Sequence, residues 1–198
     1  MFKKILKWTG VTLLVLFVLA EIIRAPFRWQ EQRTAAQVEK IHNTKLQMAD
    51  VMGDNLPPDP GAEADKTVAG VDANKNGIRD DVELAIFKEY PKSAKTRAVL
   101  LQYALALQME FTQPIINKET VTAVAEKTSA GYYCVGKILS RSNMKNFISE
   151  GDKLHGFVEN NQINNDLRKK AQKDFYQDNL GSYELPSICD IDLSKLPN

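Results

Sequence analysis

Residues 95–111, KTRAVLLQYALALQMEF, decide the fold class. From Val99 to Phe111 this run is apolar nearly all the way round a helix, leaving neither a solvent-facing stripe nor a two-residue alternation. Such a segment is stable only with other elements packed on every side, so it predicts a central buried helix. Ser93 offers an oxygen to cap its start, and Pro114 ends it. Upstream, Val82, Ala85, Ile86 and Tyr90 mark one face of a shorter helix that stops before Pro91. Downstream, residues 118–139 (KETVTAVAEKTSAGYYCVGKIL) predict a third helix, with Gly131 and Gly136 as points of close approach. Residues 142–160 and 164–180 give two more amphipathic segments, each opened by Ser or Asn. No stretch of Val, Ile and Thr alternates as a strand does. Residues 72–198 therefore read as an all-α domain, an irregular helical bundle.

The N-terminus carries a different signal. Lys3, Lys4 and Lys7 precede an uncharged apolar run from Val11 to Ala20. Lysines that stay behind while an apolar stretch enters the bilayer are what export requires. Trp8 to Ile23 spans about 24 Å as a helix, with Trp8, Arg24, Arg28 and Trp29 as interface anchors. Residues 1–28 thus read as a transmembrane anchor that places the remainder in the periplasm. Val18-Leu19-Ala20 offers the small residues of a cleavage site, and the alternative is a soluble periplasmic protein cut near Ala20. No Cys follows the run, which excludes a lipoprotein. The net charge of +1 argues against nucleic-acid binding by bulk electrostatics. The two cysteines, Cys134 and Cys189, are an even count in an exported chain and predict a disulfide. Closing that loop stabilises the fold by about 4 kcal/mol on the chain-entropy account.

Between anchor and bundle lie two further stretches. Residues 29–53 are rich in helix formers, and Val38, Ile41, Met48 and Met52, with the Lys45 stem, form a thin apolar stripe. It reads as a long amphipathic helix lying on a partner. Residues 54–71 contain Pro57, Pro58 and Pro60 and read as an extended linker.

The linker runs into VDANKNGIRDDVE, residues 71–83. With Asp72 as position 1 of a twelve-residue loop, Asn74, Asn76 and Asp80 fall at positions 3, 5 and 9. Gly77 stands at the sharp turn, Ile78 at the position that offers a backbone carbonyl, and Glu83 at position 12. A hard cation wants six to eight oxygens at about 2.3–2.6 Å, and a curled loop presents alternate side chains inward. Placing Glu83 in the first turn of the next helix sets its carboxylate at a favourable N-terminus.

This loop resembles the D-x-[DN]-x-[DN]-G loop of EF-hands. It is closer to the thrombospondin type 3 and dockerin-like variant, in which the aliphatic residue directly follows the glycine. In the usual EF-hand that residue comes one place later, where Arg79 stands here. The surrounding residues 55–83 also resemble a segment of uncharacterised exported bacterial proteins with a single such loop. The resemblance implies one structural Ca²⁺ bound through Asp72, Asn74, Asn76, Ile78, Asp80 and Glu83, and implies no activity. With three charged ligands the affinity expected is on the order of 10⁻⁵ to 10⁻³ M.

Catalytic signatures are sparse. His42 and His155 are far apart in sequence, which leaves little from which to assemble a zinc site or a hydrolase triad. No Gly-rich phosphate loop is present. Lys169, Lys170 and Lys173 read as a solvated face. The chain therefore reads as a non-enzyme that acts by contact with a protein partner, in an accessory or chaperone-like role. The alternative is a small-ligand or cell-envelope binding module, with a pocket near Tyr132, Tyr133, Phe157 and Tyr176.

Overall fold

A computed structural model describes residues 2–177, 180–184 and 189–197, and of residues 2–7 the backbone alone. Among the described residues seven α-helices follow in order: α1 Phe2–Asn43, α2 Met48–Met52, α3 Asp80–Glu89, α4 Ala94–Thr112, α5 Lys118–Val135, α6 Met144–Gln162 and α7 Asp166–Phe175. Single 3-10 turns occupy Gly61–Asp65 and Leu193–Lys195, and the described residues contain no strand. The predicted helical segment 164–180 ends as a helix at Phe175, and residues 178 and 179 lie outside the described residues.

Helix α4 is the centre. Leu100, Leu101, Ala104, Leu105 and Met109 are buried, and so are its polar Gln102 and Gln108. Helices α2, α3, α5, α6 and α7 all pack against it. Its start is capped as expected, the Ser93 hydroxyl accepting from the Thr96 N–H at 3.2 Å. Asn117, Asn143 and Asn165 cap α5, α6 and α7 in the same way. Helix α5 crosses α4 closely at Gly131, where an added Cβ would lie 2.9 Å from the Tyr103 Cα. At Gly136 the nearest atoms stand at an ordinary 3.4 Å.

Helix α1 does two things. Its C-terminal half docks on α5, with Thr34 and Ile41 buried and Val38 half-buried. Its N-terminal half projects: an 18-residue window of mean hydropathy 2.0 has none of its residues buried in the domain. By length and composition this is a helix able to cross a membrane or to serve as a signal sequence.

The stripe over residues 29–53 differs from its sequence reading. The helix breaks at Thr44–Gln47, and α2 restarts in a new register. Leu46 and Val51 then face the core, while Met48 and Met52 are exposed. The break is fixed from a distance, because the Leu46 N–H donates to the Asp190 carboxylate at 3.1 Å.

Residues 54–71 are clamped to the domain by Arg168, which is fully buried at the start of α7. Its Nε donates to the Val68 carbonyl, Nη1 to Asp65 and Asn164, and Nη2 to the Ala64 and Thr67 carbonyls. All five guanidinium N–H groups are thereby used. The Gln108 amide adds a bond to the Ala69 carbonyl at 2.6 Å. The sulfurs of Cys134 and Cys189 lie 2.09 Å apart, joining the end of α5 to the C-terminal segment.

Candidate functional site

The loop 72–83 is organised by its own side chains. The Asp72 carboxylate accepts from the N–H groups of Asn76 and Gly77, at 3.2 and 3.0 Å. The Asn76 side-chain oxygen accepts from the Ile78 N–H at 2.8 Å. Lys75 and Gly77 adopt left-handed φ values of 59° and 86°. At Gly77 a Cβ would also meet Leu105 Cδ1 at 2.8 Å, so the loop turns where only glycine fits against α4. Ile78 is fully buried and anchors the turn in the core.

Two acids close the loop. Asp80 is fully buried and accepts from the Ala73 N–H through both carboxylate oxygens, at 3.0 and 3.1 Å. Burial raises its pKa, the Ala73 N–H pulls it partly back, and the nearby Asp72 and Asp81 charges raise it further. Glu83, 1% exposed in the first turn of α3, accepts from the Asn74 amide at 3.0 Å. Burial pushes its carboxyl up to about 7. Arg79, the nearest cation in sequence, turns away. It pairs with Asp81 and donates to the Asn161 and Gln162 carbonyls at the end of α6. Among the described residues no basic side chain pairs with Asp72, Asp80 or Glu83.

The loop thus holds oxygen donors without a counter-charge, a donor set that suits a hard cation. Its side chains are nevertheless turned onto the loop backbone. Among the described residues no group of three or more Asp, Glu, His or Cys is gathered as a metal shell. Each carboxylate oxygen keeps a second lone pair for another partner.

Two further places carry polar chemistry, the first of which the sequence reading did not single out. Glu110, on the otherwise apolar α4, is buried and accepts from Thr128, Gln172 and Tyr176 at 3.0, 2.9 and 2.6 Å. The signal was present as an acid inside the apolar run of residues 99–111. Burial raises its pKa above the ordinary 4.5, against the pull of its three donors. Above that pH the unfolded chain loses a proton that the folded one retains, so Glu110 lowers stability as pH rises through the window. Glu110→Gln is expected to remove that decline. Its melting temperature should gain on the wild type as pH rises above 4.5, and a constant difference would refute the assignment.

The second place is a half-open cavity of about 260 Å³ between the end of α5 and the start of α6. Tyr132, Tyr133, Leu139 and Phe147 line it, with Arg141 and Asp152 among its walls. His155 stacks on Tyr132 at 3.7 Å, and its Nδ1 has no hydrogen-bond partner. Of the four aromatics expected around a pocket, Tyr132 and Tyr133 are here. Phe157 packs edge-on against Tyr90, and Tyr176 is held by Glu110. Lys169 and Lys170 are exposed, as expected for a solvated face.

No family model, curated protein or solved structure matches the chain.

Proposed function

We propose that the protein is a membrane-tethered helical domain, held in the inner membrane by α1 with the bundle in the periplasm. On this reading it acts by contact with a protein partner in an accessory role. The observation that carries the tether is the division of labour within one helix, whose first half is apolar and uncovered while its second half is docked in the domain. The 72–83 loop is proposed to hold one structural Ca²⁺, with Asp72, Asn74, Asn76, Asp80, Glu83 and the Ile78 carbonyl as its ligands. Support comes from buried acids lacking a basic partner and from a turn already folded by its own side chains. The ion would supply the missing counter-charge and do no chemistry.

Calorimetry of the full chain with Ca²⁺, beside Asp72→Asn and Glu83→Gln, tests the loop. For a dissociation constant on the order of 10⁻⁵ to 10⁻³ M, 1 mM Ca²⁺ is expected to stabilise the fold by about 0.4–2.7 kcal/mol. Both variants should lose the heat and the gain in melting temperature. A wild-type chain that melts identically in Ca²⁺ and in chelator would end the calcium reading.

A second reading is a small-ligand module, favoured by the cavity at Tyr132 and Tyr133. An apolar naphthalene dye should bind there with enhanced fluorescence, and Tyr133→Ala should abolish that enhancement. Equal dye binding by variant and wild type would remove the cavity from consideration.

A further inference from the structure

The apolar part of α1 is short for a bilayer. Trp8 to Ile23 gives about 24 Å against a hydrocarbon core of about 30 Å. The next four residues, Arg24 to Phe27, add about 6 Å and complete the span if the Arg24 stem reaches out to the headgroups and the one acid of the stretch, Glu21, stays paired with Arg28. The edge of the hydrocarbon then falls at Phe27, and Trp29 enters the headgroup layer. Phe27 and Trp29 are 69% and 72% exposed, so neither is needed to cover the domain.

At the same height lies the turn between α4 and α5. Pro114, Ile115 and Ile116 form one open cleft with Pro26, Trp29 and Arg33 of α1. The level of this turn along α1 is fixed by hydrogen bonds. The Gln37 amide donates to Gln113 at 2.9 Å, and the Asn117 amide donates to Thr34 at 2.9 Å. Farther along, His42 meets Glu126 at 2.8 Å, so α5 climbs beside α1 away from the span. The turn is therefore the membrane-proximal end of the bundle. Its tip is apolar, with Pro114 exposed and Ile115 49% exposed.

We propose that the α4–α5 turn is a second membrane contact, with Pro114 and Ile115 seated in the lipid headgroup layer beside Trp29. The inference rests on the reading of α1 as a membrane span. Continuity with that span selects the occupant: Trp29 already borders the cleft, and lipid covers Ile115 without any further partner. The domain then rests on the bilayer through two feet and presents a fixed face to whatever lies beyond.

Depth-dependent quenching tests this with the full chain in phosphatidylcholine vesicles containing brominated lipid. In a Trp8→Phe, Trp29→Phe background, a single tryptophan is introduced by Leu16→Trp, Ile115→Trp or Lys92→Trp. Leu16 lies within the span, and Lys92 lies before α4, at the end of the bundle away from the turn. Leu16→Trp is expected to be quenched most. Ile115→Trp should be quenched at least about twofold by lipid brominated near the headgroup, with blue-shifted emission as at an aromatic belt. Lys92→Trp should be unaffected. If Leu16→Trp is quenched while Ile115→Trp behaves like Lys92→Trp, the second contact is refuted and the span stands. If Leu16→Trp escapes quenching, the span fails and the inference falls with it.

Discussion

Arg168→Met is expected to destabilise the protein by about 3–5 kcal/mol, the range for breaking a buried charged network from one side. The substitution keeps most of the stem volume and removes five donors. It leaves the Ala64, Thr67 and Val68 carbonyls facing a thioether, and a buried carbonyl without a donor costs about 1–3 kcal/mol. Asp65, whose pKa is held down chiefly by its hydrogen bond from Arg168, would lose that partner too. Arg168→Lys should recover only part of the loss, because one ammonium cannot reach acceptors spread along five residues of backbone, 64–68. Urea unfolding measures the loss. Trypsin supplies a local readout, since Lys66 is exposed within the clamped segment and should be cut faster in the variant. A loss below about 1 kcal/mol with unchanged cleavage would show that residues 54–71 are held by something other than this guanidinium.

Gly131→Leu should have an effect of similar size for the opposite reason, too much matter rather than too little. Even an alanine there sets its Cβ against the Tyr103 backbone at 2.9 Å, and backbone cannot rotate aside as a side chain can. Alanine would ordinarily favour the helix by about 0.5–1 kcal/mol over glycine. Overpacking costs typically about 1–3 kcal/mol, so Gly131→Ala should still be destabilising. Leucine must push α4 and α5 apart and should cost more than about 3 kcal/mol. Separation would also disturb the Tyr103 hydroxyl, which donates to Glu159 at 2.6 Å. Gly136→Ala is the matched control, since its neighbours stand at contact distance and its φ is −64°. Chemical denaturation should show Gly136→Ala neutral or better. If both alanine variants behave alike, Gly131 is not the close crossing described above.

Much of the bundle was legible because local chemistry and global packing agree in it. Pro91 and Pro114 each stand two residues past the end of a helix, and Ser93 caps the helix it precedes. The apolar run from Val99 was buried because no face of it could be solvated. The glycine of α5 at position 131 marks the crossing it was read to mark. What escaped depends on contacts distant in the chain. The break at Thr44–Gln47 is set by Asp190, more than a hundred residues on, so no periodicity near Met48 could reveal that Leu46 and Val51 turn inward instead. Arg168 sits beside Lys169 and Lys170 in sequence, yet it is buried while they are solvated. Only the carbonyls of residues 64–68 distinguish them. The candidate loop was legible in spacing, and its ring of internal hydrogen bonds follows from the short Asx side chains that the spacing supplies. Which of those oxygens turn inward together is a property of the whole loop and of Arg79, whose departure toward α6 leaves the acids without a cation.

The link between Cys134 and Cys189 makes the chain a lariat. Both α6 and α7 lie on its closed part, with α1 to α5 forming the stem. A single cut anywhere on the noose, for example at exposed Arg141, separates no fragment from the molecule. The cut ends stay tied through the sulfurs to α5, the nearest neighbour of the central helix. In an oxidising compartment the C-terminal third of this protein can therefore be nicked without being lost. Release would take a reductant as well as the cut.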